Sequence, residues 1–271
     1  MDSQKTAEEV RGEVRSAYAQ SARTVLEEGK KTKSCCSGPS CCSSPVETSP
    51  SASLYGAENL ASLPAEVAEA SWGCGDPVSL AALHPGDVVV DLGSGGGLDC
   101  LLAGQRVGPT GRVIGVDMTP DMLSLAWRNV ARAGVTNVEF RFGTIENLPV
   151  DSNSVDYIIS NCVINLSPDK NATFREIARV LKPSGRVSVS DIVLLGEIPA
   201  ELRADVDLYA SCVSGALREA DYLSAMRHAG LSDVAVASRV TINPHEYTED
   251  HEKAAQIEGL VASIRVTATK A

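Results

Sequence analysis

The 271 residues, 44% hydrophobic and 22% charged, suffice for one good core plus an appendage. A formal net charge of −11 argues against a nucleic-acid partner, because gripping backbone phosphates takes a surplus of lysine and arginine. No apolar run approaches the ~20 residues of a membrane helix, and the start, with Asp2, Glu8 and Glu9, lacks a signal-peptide layout, so no membrane partner and a cytoplasmic location are expected.

In chain order, Val10, Val14, Tyr18, Val25 and Leu26 recur near helical spacing and predict an amphipathic helix from Thr6 to about Lys30. Residues 31–53 are rich in Ser, Pro, Gly and Cys without a hydrophobic period and read as a linker. Its adjacent pairs Cys35/Cys36 and Cys41/Cys42 cannot easily bite one tetrahedral metal, which leaves a soft-metal tether, a redox relay or an incidental segment open. The ordered body starts at Leu54, with a helix from Pro64 to Ala70, and reaches Cys74 between Gly73 and Gly75 in a tight turn. Val78 to Leu83 is a further short helix, closed by His84-Pro85-Gly86.

Val88 to Val90 then make a buried strand that breaks, after Asp91, into a loop with Gly93, Ser94, Gly95 and Gly97, followed by a helix from Leu98 to Val107. Such a strand, glycine turn and helix is the nucleotide-binding form of an open α/β sheet. The loop holds no lysine or arginine, so a polyphosphate is poorly served and a cationic, phosphate-free nucleoside suits it better. Cys100, on that helix, reads as a small buried hydrophobe. The second strand, Arg112 to Val116, ends in Asp117, placed for a ribose hydroxyl pair. Met118 follows it, then Thr119 as a cap and Pro120 at the first position of a helix reaching Arg132. A third strand, Asn137 to Phe142, leads into a loop in which Thr144 and Ile145 could border an adenine.

The fourth strand, Ser154 to Ser160, delivers Asn161 and Cys162 into the crevice beside the first, where topology puts a second substrate. A helix from Ala172 to Leu181, stopped by Lys182-Pro183-Ser184-Gly185, precedes a fifth strand from Arg186 to Ser190. Beyond Pro199 the chain reads as helical through Cys212 to His228, and Ser232 to Thr241 and Gly259 to Thr269 alternate as the last two strands. Between these strands, His245 to Glu252 is not a His-Glu-x-x-His motif and reads as a solvated loop.

Cys74, Cys162 and Cys212, far apart in sequence, all fall in segments expected at one rim of the sheet. Three thiolates select a soft centre. Zinc lacks an obvious fourth ligand, whereas trivalent arsenic takes three sulfurs in a trigonal pyramid and keeps its lone pair free.

Asp91-Leu92-Gly93-Ser94-Gly95-Gly96-Gly97 and Leu181-Lys182-Pro183-Ser184-Gly185 resemble motifs of class I methyltransferases. With Gly115 to Pro120 and Ser160-Asn161-Cys162-Val163-Ile164-Asn165-Leu166-Ser167, they resemble the microbial arsenite S-adenosylmethionine methyltransferases from about residue 54 to the end. The resemblance implies a Rossmann-like α/β fold. Its seven-stranded, mostly parallel sheet would carry helices on both faces, an N-terminal helix and a C-terminal extension.

It divides the chain into residues 1–53 (helix and Cys-rich linker), 54–195 (S-adenosylmethionine-binding core) and 196–271 (arsenic-binding segment and last strands). It implies S-adenosylmethionine on Asp91, the Gly93-Ser94-Gly95 and Gly97 loop, Asp117, Met118, Thr144, Ile145 and Asn161, under Tyr18. Cys74, Cys162 and Cys212 would hold As(III), delivered as a thiol conjugate, and an N-terminal cysteine would exchange disulfide with Cys74. Glutathione or thioredoxin would be the reductant, mono- and dimethylated arsenicals, and with a further cycle trimethylated ones, the products, detoxification the role and a monomer the state. A quinone-type C- or O-methyltransferase and a non-catalytic metalloid-binding protein are the rival readings.

Overall fold

The computed structural model describes residues 6–31, 55, 63, 75–203, 205, 208, 209, 212–246, 248 and 250–271. The expected linker and the helix from Pro64 to Ala70 lie outside them. Helix α1 spans Ala7–Lys31, and its start is a reciprocal cap: the Glu9 N–H donates to Thr6 Oγ1 and the Thr6 N–H to Glu9 Oε2. Asp76 caps the short α2, Pro77–Leu80, by accepting from the Ser79 N–H.

Seven strands form one sheet in the order β3-β2-β1-β4-β5-β7-β6. The strands are β1 Val88–Leu92, β2 Arg112–Asp117, β3 Val138–Phe142, β4 Val155–Asn161, β5 Leu181–Leu194, β6 Leu231–Thr241 and β7 Val261–Lys270. The first five run parallel, whereas β7 inserts antiparallel between β5 and β6. Both faces of the parallel part are covered, which is why β1, β2 and β4 are buried along most of their length, whereas the edge strand β3 alternates. Val90 and Ile158 turn toward helix α5 (Lys170–Val180) and helix α7 (Glu219–His228), burying Phe174, Ile177, Tyr222 and Met226. Their neighbours Val89 and Ile159 turn the other way, onto helix α3 (Leu98–Val107) and helix α4 (Pro120–Ala133), with Cys100, Leu101, Ala126 and Val130.

Four local expectations change. Thr119 precedes α4 without a side-chain cap; its N–H instead donates to Asp117 Oδ1 at 2.8 Å. Lys182 to Gly185 does not separate helix from strand, because β5 already starts at Leu181, pairs with Val155, and absorbs the turn as a register shift with Ser184 at φ +63°. Between Pro199 and Arg218 the described helical residues are Ala200–Arg203 (α6) and the pair Leu208 and Tyr209, and Cys212 sits in a turn. The expected loop near His251 contains α8, His251–Ile257, started by Asp250, which accepts from the Glu252 and Lys253 N–H groups.

Phe174 is fully buried and meets Tyr222 edge-on, with ring centroids 5.2 Å apart. Phe174→Ala is expected to cost about 3–5 kcal/mol in urea unfolding; a loss under about 1 kcal/mol would show that this helix pair does not anchor the sheet.

Candidate active site

A cleft of about 920 Å³ opens at the carboxyl ends of β2, β1 and β4, beneath α1. Its floor is the loop after β1. The Ser94 N–H donates to the Val116 carbonyl at 3.0 Å and the Gly97 N–H to the Ser94 carbonyl at 2.8 Å. The Gly95 N–H donates to Asp117 Oδ2 at 3.0 Å, so Asp117 ties this loop to the start of α4 with its two oxygens. Gly93 has φ +63°, and a β-carbon there would lie 2.3 Å from Val163 Cγ2. That close approach locks the loop against the segment carrying Cys162.

Of the residues expected to bind the methyl donor, Tyr18, Gly93, Ser94, Gly95, Asp117, Met118, Thr144, Ile145 and Asn161 line the cleft. Asp91 and Gly97 stand behind it. Asp91 is buried beneath the loop, where its Oδ2 accepts from the Cys100 thiol at 3.2 Å. Burial holds its carboxyl well above the usual range, with Asp99 adding to the effect and the Cys100 hydrogen bond opposing it. Gly97 enters α3 at φ +85°, with the Phe140 ring 2.9 Å from where a β-carbon would be.

Helix α1 closes the cleft from above. Arg23 grips Asp121 with Nε and Nη2, at 2.9 and 3.1 Å. Arg11 lies 3.6 Å from Glu146, which also accepts from Ser167 Oγ at 2.7 Å. Between them Tyr18 reaches the cleft, its hydroxyl pushed up by burial and by Cys212, Asp117 and Asp191.

At the β4 side the backbone is strained. Cys162 has φ +55° and Cys212 φ +65°, both in the left-handed region that non-glycine residues rarely occupy. The Cys162 N–H donates to the Ser190 carbonyl at 2.8 Å, and its sulfur is held in a disulfide. The Cys212 thiol is free and donates to the Cys162 carbonyl at 2.8 Å, so β4 and the turn beyond β5 bring the two cysteines together. Burial pushes the Cys212 thiol well up; Asp191 adds to this and Lys170 opposes it. Cys74 and the four linker cysteines lie outside the described residues. Cys100 is a free thiol in the core, away from this rim. Among the described residues, no three His, Cys, Asp or Glu side chains are arranged to hold a metal ion. No helix there is long and apolar enough to cross a membrane.

Three features escape a reading of the sequence. Asp99, in the first turn of α3, lines the cleft and accepts from Tyr55 Oη at 3.1 Å and Asn161 Nδ2 at 3.2 Å. Asp191 lies behind the cysteines, where its Oδ1 accepts from Asn165 Nδ2 at 2.8 Å and its Oδ2 from Tyr222 Oη at 3.2 Å; burial pushes it up to about 7. The Arg11–Glu146 pair belongs to segments 135 residues apart, and no local pattern links them. For α1 itself a signal exists, since Thr6-Ala7-Glu8-Glu9 is a capping box.

Gly93→Ala is expected to lower stability by about 2 kcal/mol or more, from the left-handed backbone and the Val163 clash together. Chemical denaturation checks it, and an unchanged midpoint would mean the loop is not pinned to the Cys162 segment.

Comparison with known proteins places this geometry. A family described as "Methyltransferase domain" matches residues 83–230. An arsenite methyltransferase of Halobacterium salinarum is 48% identical over 200 residues, covering 73% of this chain and 51% of the relative. One from Aquipseudomonas alcaligenes is 43% identical over 175 residues, covering 62% and 50%. The chain thus spans about half the length of these curated relatives. The crystal structure of an arsenic(III) S-adenosylmethionine methyltransferase from Chlamydomonas reinhardtii superposes with a TM-score of 0.69 at 35% identity, covering 83% of this chain and 74% of that one.

Proposed function

Because the chain belongs to the arsenite methyltransferases within the methyltransferase-domain family, we propose that it transfers methyl groups from S-adenosylmethionine to thiol-bound As(III). The observation that carries this reading is the pairing of Cys212 with Cys162 at the edge of the cleft lined by the glycine loop, the thiol of one 2.8 Å from the carbonyl of the other.

The cleft's donor set suits a cationic nucleoside. Asp99 and Asp117 face it, and Arg11, which also lines it, stands 3.6 Å from Glu146. Asp117 holds the ribose hydroxyls with the acceptor capacity its two loop hydrogen bonds leave, since a carboxylate offers about four lone-pair sites. Met118, Thr144 and Ile145 border the adenine, Gly93, Ser94, Gly95 and Asn161 flank the amino-acid tail, and Tyr18 covers the nucleoside. Asp91 and Gly97 act from behind, by shaping the loop.

When bound, S-adenosylmethionine supplies an electrophilic methyl carbon. Cys162 and Cys212, with Cys74, grip As(III) and aim its lone pair into the cleft, so that alignment supplies most of the acceleration. An arsenic–carbon bond forms as the sulfur–methyl bond breaks, and the acceptor carries no proton, so no general base is needed. Arsenic is formally oxidised from As(III) to As(V), and two electrons from thiols return it, with glutathione or thioredoxin as the external source.

The disulfide at Cys162 fits the resting state of such a cycle, because a reductant must free that sulfur before arsenic can bind. One of Cys35, Cys36, Cys41 and Cys42 would relay electrons to Cys74. Mono- and dimethylated products, a detoxifying role in the cytoplasm and a monomeric state complete the reading. So does the division into 1–53, 54–195 and 196–271.

Incubation with arsenite, S-adenosylmethionine and glutathione should yield methylated arsenicals on chromatography. Cys162→Ser and Cys212→Ser should each lose roughly 100-fold or more of that turnover. Undiminished turnover of Cys162→Ser would transfer the protein to the rival quinone-type reading.

A further inference from the structure

We propose that Asp191, through Asn165 and Tyr222, is the positioning residue that sets the spacing of Cys162 and Cys212, and so governs capture of the arsenic substrate without touching the methyl donor. This rests on the arsenic reading of the two cysteines and deepens it to residues that no step of that reading uses.

Cys162 and Cys212 lie 50 residues apart on separate turns, and each keeps a left-handed backbone, at φ +55° and +65°, that non-glycine residues rarely adopt. Something must hold both turns. Asp191 is fully buried on β5, directly after Ser190, whose carbonyl accepts from the Cys162 N–H at 2.8 Å. Its Oδ1 accepts from Asn165 Nδ2 at 2.8 Å and from the Ile192 N–H at 2.9 Å. Asn165, also fully buried, spends its second amide hydrogen on the Ile192 carbonyl at 2.6 Å. The turn that carries Cys162 is thereby clamped to β5 at both ends.

The other carboxylate oxygen reaches the far side. Oδ2 accepts at 3.2 Å from Tyr222 Oη, on α7, the helix that follows the Cys212 turn. That turn closes onto the same frame: the Leu194 N–H donates to the Leu217 carbonyl at 2.9 Å, and Tyr209 Oη to the Leu166 carbonyl at 3.2 Å. Gly215 approaches so closely that a β-carbon there would lie 2.3 Å from the Asn165 carbonyl oxygen. Both cysteine turns therefore rest on Asn165, and Asp191 fixes Asn165.

The chemistry calls for such bracing. Two sulfurs grip one As(III) only when they stand along an edge of its coordination pyramid, and a misplacement of about 1 Å costs on the order of 100-fold. Stability alone does not call for a carboxylate here, because burying one is costlier than burying an apolar side chain. Asn165, Asp191 and Tyr222 stand outside the lining of the cleft, so loosening them should fall on arsenic and spare the methyl donor.

The test is steady-state methyl transfer by the full chain with arsenite varied at constant S-adenosylmethionine and glutathione, beside calorimetric titration with S-adenosylhomocysteine. Asp191→Ala and Asn165→Ala should each raise KM for arsenite by about tenfold or more and shift affinity for S-adenosylhomocysteine by less than about threefold. Asp191→Asn is the rescue: its carbonyl can accept from Asn165 and Ile192 and its amide donate to the Tyr222 hydroxyl, so its arsenite KM should stay within about threefold of the unaltered protein. Tyr222→Phe keeps the ring against Phe174 and drops only the hydroxyl; it should raise the arsenite KM by about threefold or more, which decides the matter even if the alanine variants do not fold. An unchanged arsenite KM in these variants, equal weakening of both ligands, or Asp191→Asn as damaging as Asp191→Ala would overturn the assignment and leave the arsenic reading intact. Absence of methylated arsenic from the unaltered protein would overturn both.

Discussion

The parallel pairing of β1 with β4 is the constraint on which the rest of the site depends. With Asp91 opposite Ile159 and Leu92 opposite Ser160, the next residues on each strand, Gly93 and Asn161, are carried to the same edge. The absence of a β-carbon at Gly93 lets Val163 close against it, and this seats Cys162 at the end of the cleft. A shift of one residue would send Val89, Val90, Ile158 and Ile159 to the wrong faces of a sheet covered on both sides, so the hydrophobic core enforces the geometry of the site. The strained backbone at Cys162 and Cys212 persists because this packing over-determines it.

A second consequence is electrostatic. Asp91, Asp99, Asp117 and Asp191 all gather at the carboxyl end of the sheet, and burial raises the proton affinity of each. Hydrogen bonds from Gly95, Thr119, Asn161, Tyr55 and Tyr222 offset part of that cost. The charged residues lining the cleft are Asp99, Asp117 and Glu146, with Arg11 opposite. The Asp117 carboxylate staples the glycine loop to α4 while facing the cleft.

Much of the parallel half was legible in the residues because its signals are local. The Val88–Val90 run, the glycine loop and the helix from Leu98 to Val107 announce themselves through β-branching, turn chemistry and helical period, and α3 occupies the expected span. Where local signals mislead, tertiary pairing is responsible. Pro183 and Gly185 read as a break, yet β4 pairs with Leu181 before it and with Arg186 after it and holds the strand through it. Near His251 the dense charge reads as loop, but Asp250 caps a short helix whose Ala254 and Ile257 are buried.

The class of sheet, the glycine loop after β1 and the cysteines on the chain could be read from the residues alone, because each rests on residue type and short spacing. Which acidic residue faces the cleft was settled by folding alone. Asp91 and Asp99 are both acids flanking the same glycine loop, and nothing within a few residues of either separates them. The difference is made by Cys100 covering one, and by Tyr55 and Asn161, 44 and 62 residues away from Asp99, holding the other at the cleft. Contacts at such separations arise from strand order and burial, and these exist only once the chain has folded.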